Sequence, residues 1–178
     1  ASNDISITER VNYIIDLNRG YDLIYQDFNK DARKNIRQGS AFNLSVAENI
    51  DPVIVFDLYK KAYGHLNKNI SSADYNNFYS VCLKAIELNK GFVTGIKDAA
   101  GEIMAAAFFA IDNKRIYYLL GAPSAKGKKA NATHVIIDSL LKKYAGHPLV
   151  FDFEGSDIPS VAGFYKKFGP QKRSYQHV

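Results

Sequence analysis

"FDFEGSDIPSVAGFYKKFG", residues 151–169, is the stretch on which the fold of this chain turns. Acidic and aromatic residues alternate through Phe151–Glu154, so an extended strand puts Asp152 and Glu154 on one face and Phe151 and Phe153 on the other. A Gly-Ser step follows, and "IPSVAGFYKKFG" reads as a helix with Val161, Phe164 and Phe168 as its buried stripe. A carboxylate near the C-terminal end of a strand, where sheets open toward ligands, can serve as a general base. Tyr165, beside the stripe, can then act as a general acid. The same residues also fit a plain strand-turn-helix corner, with the carboxylates half-exposed and Tyr165 in the core.

Working outward, "PLVFDFE" is preceded by "SAKGKKANATHVIIDSLLKKYAG", a glycine-containing loop entering a helix with Val135, Ile136, Ser139 and Leu140 in register. Before that, "GFVTGIKD", "EIMAAAFFAID" and "RIYYLLGA" read as a meander with turns at Ala99-Ala100-Gly101 and Asn113-Lys114. The middle strand is apolar on both faces, as a strand buried within the sheet should be. Further upstream, "VNYIIDL" (11–17) and "FNLSVAE" (42–48) read as strands. A helix is predicted from Tyr21 to about Gln38, stopped by Gly39. Asp51-Pro52 opens another to about Gly64, and Ser71 or Ser72 caps a third through Leu88. "KRSYQHV" closes the chain as a strand. The expected fold is α/β (α+β): a mixed sheet with helices on both faces.

With 178 residues, 47% of them hydrophobic, the chain can bury the core of one domain but not comfortably of two. A formal net charge of +5 favours anionic partners such as nucleotides, phosphates, nucleic acid or a cell envelope. The single cysteine, Cys82, excludes an internal disulfide and a cysteine-based metal site. The four histidines (His65, His134, His147, His177) lack metal-ligand spacing, and no metal is expected. No apolar run is long enough to span a membrane and no secretory h-region is present, so a cytoplasmic protein is expected. The chain starts without methionine, which is consistent with an excised domain.

The loop "GAPSAKGKKANA" is not a Walker A loop, because Lys129 follows Gly127-Lys128 and Ala122 stands five before the glycine. Helix-start N–H groups beside Lys126, Lys128 and Lys129 make either a phosphate cradle or a solvated basic loop. Ser156 lacks the second glycine of a nucleophile elbow.

The meander, the loop entering a helix, the next strand and "FYKKFG" (164–169) together resemble the GNAT acyltransferase family. That resemblance implies a mostly antiparallel mixed sheet and a donor such as acetyl-CoA or another acyl-CoA. Leu120, Gly121, Ala122, Lys126, Gly127, Lys128, Lys129 and Ala130 would hold it. Tyr165 would be the proton donor to the leaving group, with Glu154 or Asp152 as base. Departures are also visible: no Gln or Arg stands at Lys126 or just before it, and the spacing from Gly127 to Ala130 is one residue wide. "NYIIDLNRGYDLIYQDFNKDARKNIRQG" (12–39) resembles, more narrowly, the entry to the second GNAT-like domain of Fem-type aminoacyl and acyl transferases. Those enzymes move an aminoacyl group from tRNA, or an acyl group from a thioester, to an amine acceptor. The likeness implies that Arg33, Lys34 and Arg37 bind an anionic donor or acceptor, and that an N-terminal GNAT-like domain is missing. The alternative expectation is a non-catalytic GNAT-like domain whose basic face binds tRNA, nucleotide or envelope precursor.

Overall fold

The computed structural model describes residues 8–66, 69–155 and 158–177, so Ser156 lies outside the described residues. In chain order the elements are β1 (Thr8–Asp16), α1 (Tyr21–Asp27), α2 (Lys30–Ser40), β2 (Ser45–Glu48), α3 (Pro52–Tyr63), α4 (Ser72–Glu87), β3 (Gly91–Lys97), β4 (Ile103–Ile111) and β5 (Arg115–Pro123). Then follow α5 (Ala125–Lys129), α6 (Ala132–Tyr144), β6 (Val150–Gly155), α7 (Pro159–Lys166) and β7 (Gln171–His177). Seven strands form one sheet in the order β2-β3-β4-β5-β6-β1-β7. Every neighbouring pair is antiparallel except β5 and β6, which the α5–α6 crossover joins in parallel. The expected mixed, mostly antiparallel sheet is the observed one.

Two expectations are corrected. The helix expected from Tyr21 to Gln38 is two helices, because the Asn29 side chain accepts the Ala32 N–H and starts a new one. Phe28, at the break, turns edge-on to Phe168, and the Asn29 N–H donates to the Lys167 carbonyl, so the break is tied to the end of α7. Nor does Gly39 stop the second helix, which runs on through Ser40. It is buried where α2 crosses α6: a Cβ there would stand 2.5 Å from Val135 Cγ2. The other correction concerns "SAKGKK", which folds as the one-turn helix α5 rather than as an open loop.

The helices divide between the two faces. Ile24 of α1, Ala32 and Ile36 of α2, Ile136, Ile137, Leu140 and Leu141 of α6, and Ala162 and Tyr165 of α7 share one core with Tyr13, Ile15, Phe109, Ile116, Phe151 and Phe153 of the sheet. On the opposite face α3 and α4 bury Val55, Phe56 and Cys82 against Val93, Ala106, Phe108 and Leu120. This explains why β4 is apolar on both sides. Burial pushes the Cys82 thiol up to about 11, which keeps it a protonated core group. A bulge at Leu119 moves β5 from one core to the other: Tyr118 faces Phe109, yet Leu120 faces Phe108. Strands β6, β1 and β7 carry helices on the α6–α7 side, but α3 and α4 do not reach across to cover their other face. Among the described residues no helix is long and apolar enough to cross a membrane.

Gly127→Ala tests the close approach of α5 to the sheet. The added Cβ would lie 1.7 Å from the Met104 carbonyl oxygen. A loss of about 1–3 kcal/mol or more is expected, read as a fall in Tm. The control is Gly163→Ala in α7, where nothing lies within 4 Å and a neutral or stabilising change is expected. His134 supplies a second test. It is buried beside the Phe164 ring, with Nε2 3.1 Å from Asn35 Nδ2, and burial followed by the nearby Lys167 lowers its pKa to about 4. The unfolded chain therefore binds a proton that the fold refuses between about pH 6.5 and pH 4. Stability should be fully present above that window and fall by on the order of 1–3 kcal/mol as pH drops through it. Chemical denaturation across that range should show a slope that His134→Gln flattens.

Candidate functional site

Parallel pairing between β5 and β6 lasts three residues, from Arg115 opposite Val150 to Tyr117 opposite Asp152. Beyond that point both strands continue, but aromatic rings take the place of the ladder. Phe153 stacks on Tyr165 at 4.7 Å between centroids, and Tyr118 turns edge-on to both, at 6.5 Å from Phe153 and 6.2 Å from Tyr165. Tyr118 lies back over its own strand, where a Cβ on Gly121 would meet its hydroxyl at 2.3 Å. Only glycine at 121 leaves room for that ring. Leu119, thrown out by the bulge, is 37% exposed at the same place.

Tyr165 belongs to the buried stripe of α7 rather than standing beside it. Burial, then Tyr59, Glu154 and Tyr63 push its hydroxyl up to about 12. Four elements thus converge on one hydroxyl: α7 carries it, β6 supplies Glu154, and α3 supplies Tyr59 and Tyr63. Tyr118 is likewise raised, chiefly by burial and then by Tyr165.

The two carboxylates on β6 share a face, as their spacing predicts, but their environments differ. Asp152 is buried at 1% exposure; one oxygen pairs with Arg115 Nη1 at 2.5 Å and the other accepts the Glu154 N–H. Its lone pairs are committed to holding the corner together. Glu154 is exposed, with its pKa raised by partial burial and then by the neighbouring Asp152. Its φ of +59° breaks the pleat at the end of β6, a backbone conformation that costs a non-glycine residue on the order of 1 kcal/mol or more. Glu154 is therefore the carboxylate whose chemistry remains available.

On the sheet face that α3 and α4 leave uncovered lies an open cleft of about 600 Å³. Arg115 and Tyr117 come from β5, Asp152 and Glu154 from β6, Asn12 and Ile14 from β1, and Arg173 and Tyr175 from β7. Glu154 stands at its rim, where the cleft meets the angle holding Tyr165.

The residues expected to hold a cofactor are positioned differently from an open cradle. Leu120, Gly121 and Ala122 form the last part of β5, next to the tyrosine cluster. In α5 the Gly127 N–H is taken by Ser124 Oγ, those of Lys128 and Ala130 by the carbonyls of Ser124 and Lys126, and Lys126 pairs with Glu102. Lys128 and Lys129 are exposed. Arg33 lies over the Tyr25 ring and donates to the Gln26 carbonyl, so it fastens α2 to α1. Lys34 and Arg37 remain exposed. Gly39 touches Ala130, and Asn131 reaches Gln38, so the basic end of α2 and the basic α5 lie side by side. Sequence reasoning missed Tyr59, Tyr63, Tyr118, Arg115 and Arg173. Periodicity marks the first three as core, and the two arginines gain meaning only once β7, β1, β6 and β5 are neighbours. Among the described residues no group of three or more His, Cys, Asp or Glu side chains could hold a metal ion.

No family model matches the chain, and no curated protein matches it in sequence. Solved structures do resemble it. FemX superposes with a TM-score of 0.77 at 13% identity, over 99% of this chain and 63% of that one. A conserved protein of unknown function from Bacteroides thetaiotaomicron gives 0.66 at 13% identity, over 96% of this chain and 61% of that one. The L-PGS of Bacillus licheniformis gives 0.56 at 14% identity, over 96% and 60%. The fold is that of the Fem-like, GNAT-type acyltransferases. The chain spans about three-fifths of the length of the structures it matches.

The two carboxylates should respond differently to amide substitution. Asp152→Asn breaks a pair buried on one side and should cost about 1–3 kcal/mol, less than for a fully buried pair because Arg115 reaches solvent. Glu154→Gln should stay within about 0.5 kcal/mol of the parent protein. Urea midpoints measure both.

Proposed function

We infer that the chain is an acyltransferase domain that moves an acyl or aminoacyl group to an amine. One observation carries the reading: a buried tyrosine hydroxyl and an available carboxylate meet where β5 and β6 part, in a fold shared with FemX. The acceptor amine attacks the donor carbonyl carbon. Glu154 takes the proton that the amine loses, and backbone N–H groups along the bulged end of β5 polarise the carbonyl oxygen. As the tetrahedral intermediate collapses, the Tyr165 O–H protonates the departing oxygen or sulfur. Solvent returns the proton from Glu154 to the Tyr165 oxygen.

The acid bears on the donor. A thiolate, with a thiol pKa near 8.5, departs with little help, whereas a sugar alkoxide is a poor leaving group. An acid at about 12 suits the alkoxide far better. The α5 groups already engaged by Ser124 and Glu102 point the same way, since a coenzyme A pyrophosphate would find few free N–H donors there. We therefore favour an aminoacyl ester such as aminoacyl-tRNA as donor over acetyl-CoA. The joined basic surface, with Lys34, Arg37, Lys128 and Lys129 exposed on it, suits a polyanionic donor. That surface also supports a second reading, a domain that binds tRNA, nucleotide or envelope precursor without catalysis.

Tyr165→Phe should lower kcat by about 10²–10⁴-fold, with KM little changed. The acid limb of the pH–rate profile should lie above the ordinary carboxylate range and disappear in Glu154→Gln. Unchanged turnover in Tyr165→Phe would remove the tyrosine from the mechanism and favour the binding domain, whose affinity would fall steeply with salt.

A further inference from the structure

We propose that the uncovered cleft beside Glu154 binds the acceptor, and that it selects amines carrying an acidic group, carboxylate or phosphate, close to the nitrogen. This rests on the acyltransfer reading and names the acceptor class for it. Three features of the cleft support it.

The first is a preorganised guanidinium. Asp152 is buried and holds Arg115 by one nitrogen, while the Arg115 side chain stays 41% exposed. Its remaining N–H donors are held toward the cleft at little further entropic cost. An arginine oriented in this way suits planar recognition of a carboxylate or phosphate.

The second is charge of both signs in one cleft. Arg173 sits on β7, opposite Asn12, which itself pairs with Gly155 at the end of β6. Two strand spacings, about 10 Å, therefore separate the Arg173 backbone from that of Glu154. Long arginine side chains cover such a distance. The Arg115–Asp152 pair is neutral overall, leaving Arg173 and Glu154 as opposite free charges. A simple anion meets Glu154 and a simple cation meets Arg173; a ligand bearing both charges satisfies both.

The third is a pair of ring walls. Tyr117 is fixed by donating its hydroxyl to Asp112, and Tyr175, 44% exposed, rises from β7. Both offer apolar surface to the carbon chain between the two charged ends. With its amine against Glu154, such a ligand presents its nitrogen at the rim where the Tyr165 angle begins.

The test is calorimetric titration of the full chain, without donor, using four probes: glycylglycine, phosphoethanolamine, ethanolamine and acetate. Glycylglycine or phosphoethanolamine should bind at least about tenfold more tightly than ethanolamine or acetate. Whichever binds better distinguishes carboxylate from phosphate recognition. Arg173→Ala removes an exposed side chain without touching the core, and it should abolish most of that preference. Glu154→Gln should weaken both two-charge probes and leave acetate unchanged. Arg115→Lys keeps a charge beside Asp152 should Arg115→Ala fail to fold, and it should still lose part of the preference. Equal binding of all four probes, or a preference that survives Arg173→Ala, overturns the proposal. Selective binding in a protein whose Tyr165→Phe variant turns over normally would retain the cleft as a ligand site and remove the catalytic reading. Transfer to ethanolamine and glycylglycine alike would keep the catalysis and remove the acceptor site.

Discussion

Beyond Tyr117 and Asp152 two parallel strands stop sharing hydrogen bonds, and the angle between them is filled with aromatic rings rather than backbone. A parallel ladder that continued would bury its edges and leave no place for chemistry. Its early end leaves the backbone of β5 unpaired on the β6 side, and the bulge at Leu119 re-aims that strand within the same few residues. Phe153, Tyr118 and Tyr165 hold the angle open. They also exclude water from one hydroxyl, and burial is the main reason its proton is held so tightly. One geometric choice in the sheet thus produces the acid, the free backbone beside it and the rim that carries Glu154.

The price of the arrangement is visible in the backbone. Glu154 adopts a left-handed conformation, while Asp152, two residues earlier, is tied by both oxygens to Arg115 and to the Glu154 N–H. The anchored carboxylate holds the strained one in place. Two acidic residues that look equivalent in sequence thereby separate into a structural group and a chemical one.

Much of this was legible in the chain. Alternation placed Phe151 and Phe153 opposite Asp152 and Glu154, the apolar run of β4 marked a strand buried on both faces, and "FYKKFG" pointed to the GNAT-type fold. What sequence could not give were features set by distant contacts. Gly39 reads as a helix stop but is a close-approach residue, because only the crossing with α6 reveals Val135 against it. Asn29 reads as one more polar position on a helix face, yet its side chain caps a new helix whose start is tied to α7. The basic loop reads as open because periodicity is silent about a five-residue helix held by Ser124. The tyrosines that surround Tyr165 come from α3 and β5, far away in the chain, and each taken alone is an ordinary core residue.

The central claim is that the angle beyond the β5–β6 ladder performs group transfer onto an amine. The most direct measurement incubates the chain with tRNA carrying a radiolabelled aminoacyl group and with glycylglycine, then follows the label by mass and by thin-layer separation. The account predicts label in a new amide, formed faster than the ester hydrolyses on its own, and little or no acetyl-glycylglycine when acetyl-CoA replaces the charged tRNA. Label lost only to water, at the same rate with and without the protein, together with no product from acetyl-CoA, would contradict it.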